Sequence, residues 1–96
     1  MAKLRDSARM QPCTLRLQGC THDPATTVLA HLPCAAKGMG IKGPDWFAVY
    51  ACASCHDVLD GRKGGGIMRV EKFEAMLRGL YETQSEMIRL GLIKME

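Results

Sequence analysis

The sequence predicts a small α+β domain with two short strands, a short helix and a long C-terminal helix, held together by a metal ion. Three features predict it: two β-branched or aromatic segments, a C-terminal segment with helical periodicity, and five cysteines in a chain of 96 residues. A chain of this length fits one domain and leaves little room for a second. We therefore expect residues 1–96 to form a single unit.

Composition is that of a globular protein, with 47% hydrophobic and 24% charged residues. The longest stretch without an acidic or basic side chain covers residues 24–36, which is short of the roughly 20 residues that a membrane span needs. The N-terminus lacks the apolar segment of an export signal, so we expect a cytoplasmic, reducing location. Cysteines there are more often metal ligands or free thiols than disulfides.

The first strand is predicted over residues 26–30, ending at His31, because this segment is β-branched and apolar. A turn-rich stretch follows, and residues 46–51 then predict a second strand. Residues 54–60 predict a short helix that Gly61 closes. A loop with three consecutive glycines leads from this helix to the C-terminal segment.

The C-terminal helical segment is predicted over about residues 70–91, in which the helix runs to Leu90 and Gly91 follows just past its end, where a left-handed residue is favoured. Core packing is the favoured role of its apolar face, and dimerisation is the alternative. Gly79 inside the helix costs about 1 kcal/mol relative to alanine. The expected face consists of side chains at three- and four-residue spacing: Val70, Phe73, Met76, Leu77, Leu80, Tyr81, Gln84, Met87 and Ile88.

Four of the cysteines predict a structural zinc site. Cys52 and Cys55 form a C-x-x-C pair, and Cys13 and Cys20 form a second pair with six residues between them. Four thiolates suit tetrahedral zinc, and the short spacing lets two sulfurs of one turn face the same ion. Cys34 is left over and is expected to be a small hydrophobic residue or a loop thiol. A thiol redox role is the weaker alternative, because the thioredoxin-like context is absent.

Two histidines stand where a cleft is expected to form. His31 ends the first predicted strand, and His56 directly follows Cys55 at the start of the short helix. If the strands form a hairpin and the helix folds back across it, the two rings share one cleft. A histidine with an unperturbed pKa near 6.5 suits proton transfer near neutral pH.

The order of these residues resembles the HNH endonucleases of the ββα-metal (His-Me finger) superfamily. Three segments are similar to the YbcO family of small prophage nucleases: residues 27–31 (TVLAH), 41–45 (IKGPD) and 51–57 (ACASCHD). The resemblance extends from about Lys3 to the C-terminal helix. It implies a zinc-bracketed ββα core over about residues 13–61.

The resemblance also implies roles for single residues. His31 matches the general base that deprotonates the attacking water, and His56 matches a ligand of one catalytic divalent cation such as Mg²⁺. Cys13, Cys20, Cys52 and Cys55 match a zinc knuckle with a structural ion. The implied reaction is the hydrolysis of phosphodiester bonds in DNA, and a homodimer would supply one active site for each strand.

The chain departs from the HNH pattern at two positions. Many HNH enzymes carry an aspartate ligand before the catalytic histidine, where this chain has Ala30, and the chain contains no asparagine for the middle position. Asp45 is the nearest substitute for that asparagine, with Asp57 and Asp60 as alternatives. His22 is a further candidate ligand, although a surface turn is the favoured interpretation.

Charge gives a weaker indication of the partner. The formal net charge is +3, and residues 1–42 hold six basic but only two acidic residues. A basic surface is compatible with nucleic acid without requiring it. The candidate DNA-binding side chains are Arg16, Lys37, Lys42, Arg62 and Lys63. The competing function is a zinc-stabilised module that binds nucleic acid or protein without catalysis.

Overall fold

The computed structural model describes residues 3–32, 44–60 and 69–94. They form a small α+β unit in which a two-stranded antiparallel sheet packs with a short N-terminal helix and two further helices. The elements are α1 (Lys3–Asp6), β1 (Val28–His31), β2 (Ala48–Ala51), α2 (Ala53–Leu59) and α3 (Arg69–Arg89). The predicted order of strand, strand, short helix and long helix is therefore confirmed.

The hairpin is shorter than the sequence predicts. A 3-10 turn occupies Pro24–Thr26, because Asp23 caps it by accepting a hydrogen bond from the backbone N–H of Ala25. In the second segment, the backbone N–H of Phe47 donates to the carbonyl of Pro44 in a turn, so β2 begins only at Ala48.

Each face of the hairpin packs in its own cluster, because strand side chains alternate. Ala30, Val49 and Ala51 pack with α2 and the cysteines. The other face packs with α1 and the C-terminal end of α3, through Leu29, Ala48, Tyr50, Ala8 and Met87. Strand β2 is buried at all four positions, so it is the centre of the fold.

The helix α2 begins at the cysteine pair. Cys52 is its N-cap, and the Cys52 sulfur accepts a hydrogen bond from the backbone N–H of Cys55 at 3.5 Å. Asp60 caps the C-terminus through its backbone N–H, while Gly61 lies outside the described residues. The turn that holds two predicted ligands is therefore also the start of the helix.

The bounds of α3 agree with the prediction, and Gly91 ends the helix with a φ of +77°. The backbone N–H of Leu92 returns to the carbonyl of Met87 at 2.9 Å, as in a Schellman motif. The predicted buried face is wrong in part, since five of its apolar side chains are exposed: Val70, Phe73, Leu77, Tyr81 and Ile88.

Small residues explain which face of α3 is buried. Its buried positions are Ala75, Met76, Gly79, Thr83 and Met87. A Cβ atom on Gly79 would lie 2.9 Å from the Thr14 hydroxyl and 3.2 Å from Val49 Cγ1. At Gly79 the helix approaches β2 so closely that a larger side chain does not fit. None of the described helices is long and apolar enough to span a membrane.

Candidate functional site

Four cysteines converge at one end of the hairpin. The sulfurs of Cys13, Cys20, Cys52 and Cys55 all lie within 4.8 Å of one another, and the Cys20 and Cys52 sulfurs are 3.7 Å apart. Zinc–sulfur bonds of about 2.3 Å in a tetrahedron separate the sulfurs by roughly 3.8 Å. The donor set and its spacing therefore fit a structural metal ion such as zinc.

The wide spacing between Cys13 and Cys20 is accommodated by a compact loop. The backbone N–H of Cys20 donates to the carbonyl of Leu17, and the preceding Gly19 has a φ of +87°. The Ser54 hydroxyl donates to the Gly19 carbonyl at 2.8 Å, which ties the loop to α2. His22 is exposed, with its Nδ1 atom 3.7 Å from the Cys20 sulfur.

The cysteine thiols differ in acidity. Burial opposes ionisation of Cys52, but hydrogen bonds from the backbone N–H of Cys55 and from Thr21 outweigh burial and lower the pKa of Cys52 to about 6. Burial raises the pKa of Cys55 and that of Cys20. A bound cation would supply the attraction that keeps the remaining thiols deprotonated.

A histidine and an aspartate from opposite ends of the hairpin loop meet beside the sheet. His31 Nε2 lies 2.7 Å from Asp45 Oδ1, and the His31 side chain is 14% exposed. Arg5 Nε lies 3.4 Å from the other oxygen of the same carboxylate. The hydrogen bond from His31, assisted by Arg5, lowers the pKa of Asp45 from its ordinary value. The carboxylate is therefore ionised near neutral pH and accepts from both neighbours.

His56 has a separate carboxylate partner. Its Nε2 atom lies 3.2 Å from Asp60 Oδ2, one helical turn further along α2. By strand alternation, His31 follows Leu29 onto the face that packs with α1, whereas α2 packs on the opposite face. Residues 3–32, 44–60 and 69–94 contain one group of three or more His, Cys, Asp or Glu side chains whose ligand atoms lie within 4.8 Å of one another, and that group is the four cysteines. The shared cleft of His31 and His56 therefore stays a prediction.

The predicted DNA-binding residues divide into two groups. Arg16 is paired, since its guanidinium donates to both Glu82 oxygens at 2.9 and 2.7 Å and to the Cys13 carbonyl at 3.3 Å. This contact raises the pKa of Arg16. The other four, and the leftover cysteine, lie outside the described residues: Lys37, Lys42, Arg62, Lys63 and Cys34.

Arg5 is the site residue that sequence patterns did not single out. It counts toward the basic N-terminal region, but no motif connects it to Asp45, which is 40 residues further along the chain. Only the packing of α1 beside β1 brings the two together. Asp45 itself was a candidate because it lies just before the second strand.

The arrangement is that of a small α+β protein with a four-cysteine cluster that fits a metal ion and a largely buried histidine that is hydrogen-bonded to a carboxylate. The family described as "Putative nuclease YbcO" matches residues 2–92 of the chain. The chain belongs to this family.

Two relatives carry the same description. One is the "Putative nuclease YbcO" of Escherichia coli (strain K12), and the other is the protein of that name from Enterobacteria phage 82. Each is 40% identical over 96 residues, covering 98% of this chain and 99% of the relative. The phage relative agrees with the prophage setting that the resemblance indicated.

A solved structure shares the fold. It is described as "Structure of a putative bacteriophage protein from Escherichia coli str. K-12 substr. MG1655", with a TM-score of 0.77 and 34% identity. The match covers 93% of this chain and 100% of that one.

Proposed function

We propose that the protein is a metal-dependent DNA endonuclease with His31 as its general base. The observation that carries the proposal is the 2.7 Å contact between His31 Nε2 and Asp45 Oδ1. The family description as a putative nuclease supports the same class of reaction, the hydrolysis of phosphodiester bonds in nucleic acid.

The contact prepares the ring for proton transfer. An ionised carboxylate only accepts hydrogen bonds, so His31 Nε2 carries the proton and Nδ1 has a free lone pair. Nδ1 can then take a proton from a water molecule that attacks the scissile phosphorus. Asp45 fixes the tautomer and stabilises the imidazolium that forms, as the aspartate of a catalytic triad does.

A catalytic divalent cation belongs to the same proposal, with His56 as its ligand. Such an ion would neutralise charge that develops on the phosphate and on the leaving oxygen. Mg²⁺ prefers oxygen ligands and keeps several waters, so substrate oxygens and water would supply most of its ligands beside His56. Asp45, already bound to His31, fits the role of positioning residue better than that of metal ligand.

The zinc site holds the proposed HNH core together. Cys52 and Cys55 join the end of β2 to the start of α2, and Cys13 and Cys20 bring the N-terminal loop onto the same ion. We place the enzyme in the cytoplasm with DNA as its substrate. Cutting both strands would require two copies, hence a homodimer on DNA.

The second candidate is a zinc-stabilised binding module without catalysis. Ala30 in place of the usual aspartate ligand favours it, as does the separation of His31 and His56 by different carboxylate partners. This module would bind DNA with strong salt dependence and would show no metal-dependent cutting.

A plasmid-nicking assay separates the two candidates. Zinc-loaded protein is incubated with Mg²⁺ or Mn²⁺, and the wild type is compared with His31→Ala. Ser85→Ala is the control, because it changes an exposed side chain of α3 that belongs to neither proposed site. We expect nicking by the wild type and control only. Equal nicking by His31→Ala would refute the assignment of the base.

A further inference from the structure

A cleft of about 390 Å³ lies between α1 and the start of β1. Arg5 lines it from α1 and Arg9 from the turn that follows α1, and Thr27 lines it just before the strand. Asp6 contributes one acidic side chain to the lining. The cleft lies on the His31 side of the hairpin, because Arg5 also contacts Asp45.

Arg9 is available to a ligand. Its side chain is exposed, and within the described ranges it forms no ion pair or hydrogen bond. The two terminal nitrogens of Arg5 can still donate hydrogen bonds to a ligand, since only its Nε atom contacts Asp45, at 3.4 Å, and its side chain is 61% exposed. Guanidinium groups bind phosphate oxygens in a planar, bidentate geometry.

Thr27 gives independent evidence for a polar ligand. Its side chain is 6% exposed, and its hydroxyl is the one buried side-chain N or O atom without a hydrogen-bond partner in the described part of the chain. A buried polar atom left in this way costs free energy unless a water or ligand satisfies it. A phosphate in the cleft would offer this hydroxyl an acceptor after rotation about χ1.

We propose that the cleft of Arg5, Arg9 and Thr27 binds the phosphate backbone of DNA and leads it toward His31. The inference rests on the proposed function for its substrate class. Arg5 connects the two sites, since it lies between the cleft and the Asp45 carboxylate. Arg16, which is neutralised by Glu82, contributes less to DNA binding than Arg9 does.

The test is the affinity for a short labelled DNA duplex, measured by fluorescence anisotropy over a range of salt concentrations without added divalent cations. Arg9→Gln is the main variant, because it touches none of the proposed catalytic groups. Lys72→Gln is the charge-matched control, at the beginning of α3, where Ala75 and Met76 pack on the opposite face of the hairpin.

For Arg9→Gln we expect the slope of log Kd against log salt to fall by about one, as for the loss of one phosphate contact. Lys72→Gln should keep the wild-type slope. Asp6→Asn should bind more tightly, because it removes a repulsive charge from the cleft. Thr27→Val should weaken binding while Thr27→Ser preserves it.

Two outcomes would overturn the inference: no duplex binding by the wild type, or equal slopes for Arg9→Gln and Lys72→Gln. The nicking assay keeps the proposed function separate. If the wild type nicks DNA and Arg9→Gln has no effect, the cleft does not bind DNA but the proposed nuclease function still holds. Loss of binding in Arg9→Gln without any nicking by the wild type would support the cleft and reject the nuclease.

Discussion

The Thr83 hydroxyl accepts a hydrogen bond from the backbone N–H of Tyr50 at 2.9 Å. The Tyr50 carbonyl, on the same edge of β2, accepts from the backbone N–H of Thr14 at 2.8 Å and from the Thr14 hydroxyl at 2.9 Å. This edge has no neighbouring strand in the two-stranded sheet. Two threonines from distant parts of the chain therefore form the backbone hydrogen bonds that a third strand would otherwise make at this edge.

Replacing Thr83 with valine should destabilise the fold. The change keeps the shape of the side chain but leaves the buried N–H of Tyr50 without an acceptor, at a cost of about 1–3 kcal/mol. Urea unfolding followed by circular dichroism measures the loss, and Thr83→Ser, which retains the hydroxyl, is the control. Equal stability of the valine and serine variants would contradict this role.

Gly79→Ala should also destabilise the protein, although alanine favours helices by about 1 kcal/mol over glycine. The added Cβ would lie 2.9 Å from a Thr14 hydroxyl that is fixed by its bond to Tyr50, and 3.3 Å from Leu15 Cδ2. The helix must therefore move away from β2. Thermal unfolding should show a lower Tm, whereas Ser85→Ala, on the exposed face, should change it little.

These two residues show what could not be predicted from the sequence. Hydrophobic periodicity predicted the bounds of α3 but favoured its bulky apolar side chains as the buried ones. At the close contact with β2, Gly79 and Thr83 are the buried residues instead. Their contribution to stability depends on partners such as Thr14 and Tyr50, which lie more than 30 residues away in the chain. Helix propensity and hydrophobic periodicity are local properties of the sequence, so they cannot predict a contact that forms only in the tertiary fold.

The candidate site was predictable to different degrees. The cysteine cluster was predicted from the ligand type and from the short spacing of Cys52 and Cys55, and the structure brings all four sulfurs together as expected. The strand ending at His31 followed from β-branched residues. The hydrogen bond from His31 to Asp45 depends on how the hairpin loop closes, and the contact of Arg5 depends on the packing of α1. Neither relationship leaves a periodic signal in the sequence.

Removal of the metal should unfold the protein. The thiols of Cys13, Cys52 and Cys55 are buried, and metal binding is coupled to folding in sites of this kind. We expect one zinc ion per chain by elemental analysis and a marked fall in Tm after chelation. Cys55→Ser should lose the metal, whereas Ala53→Ser, at an exposed position of the same turn, should retain it. A Cys55→Ser variant with full zinc content would contradict the assignment.

The pair of Arg16 and Glu82 should make stability depend on pH. The bidentate contact lowers the pKa of Glu82, so the pair stabilises the fold above the ordinary pKa of glutamate and loses its effect as the pH falls through the lowered value. For a partly exposed pair the effect is at most about 1 kcal/mol. Glu82→Gln should be less stable than the wild type at neutral pH, and urea titrations should show the difference vanish in acid.

Replacing Asp45 with asparagine should separate catalysis from folding and binding. The amide retains the size of the carboxylate but carries no charge, so it neither enforces the Nε2–H tautomer of His31 nor stabilises the imidazolium. We expect nicking to fall by a factor on the order of 100, the usual scale for a group that supports a general base. Zinc content should stay close to wild type, and DNA affinity should not fall, because the change removes a negative charge beside Arg5.

Glu74→Gln is the matched control for Asp45→Asn, since it also replaces a carboxylate with an amide, at an exposed position of α3. Single-turnover nicking at saturating protein measures the chemical step apart from binding. If Asp45 merely fixed the loop, Asp45→Asn would lower the Tm and leave the single-turnover rate of the folded fraction unchanged. A lower rate at unchanged Tm, with a rate-versus-pH profile that differs from wild type, would identify Asp45 as the residue that positions the His31 base.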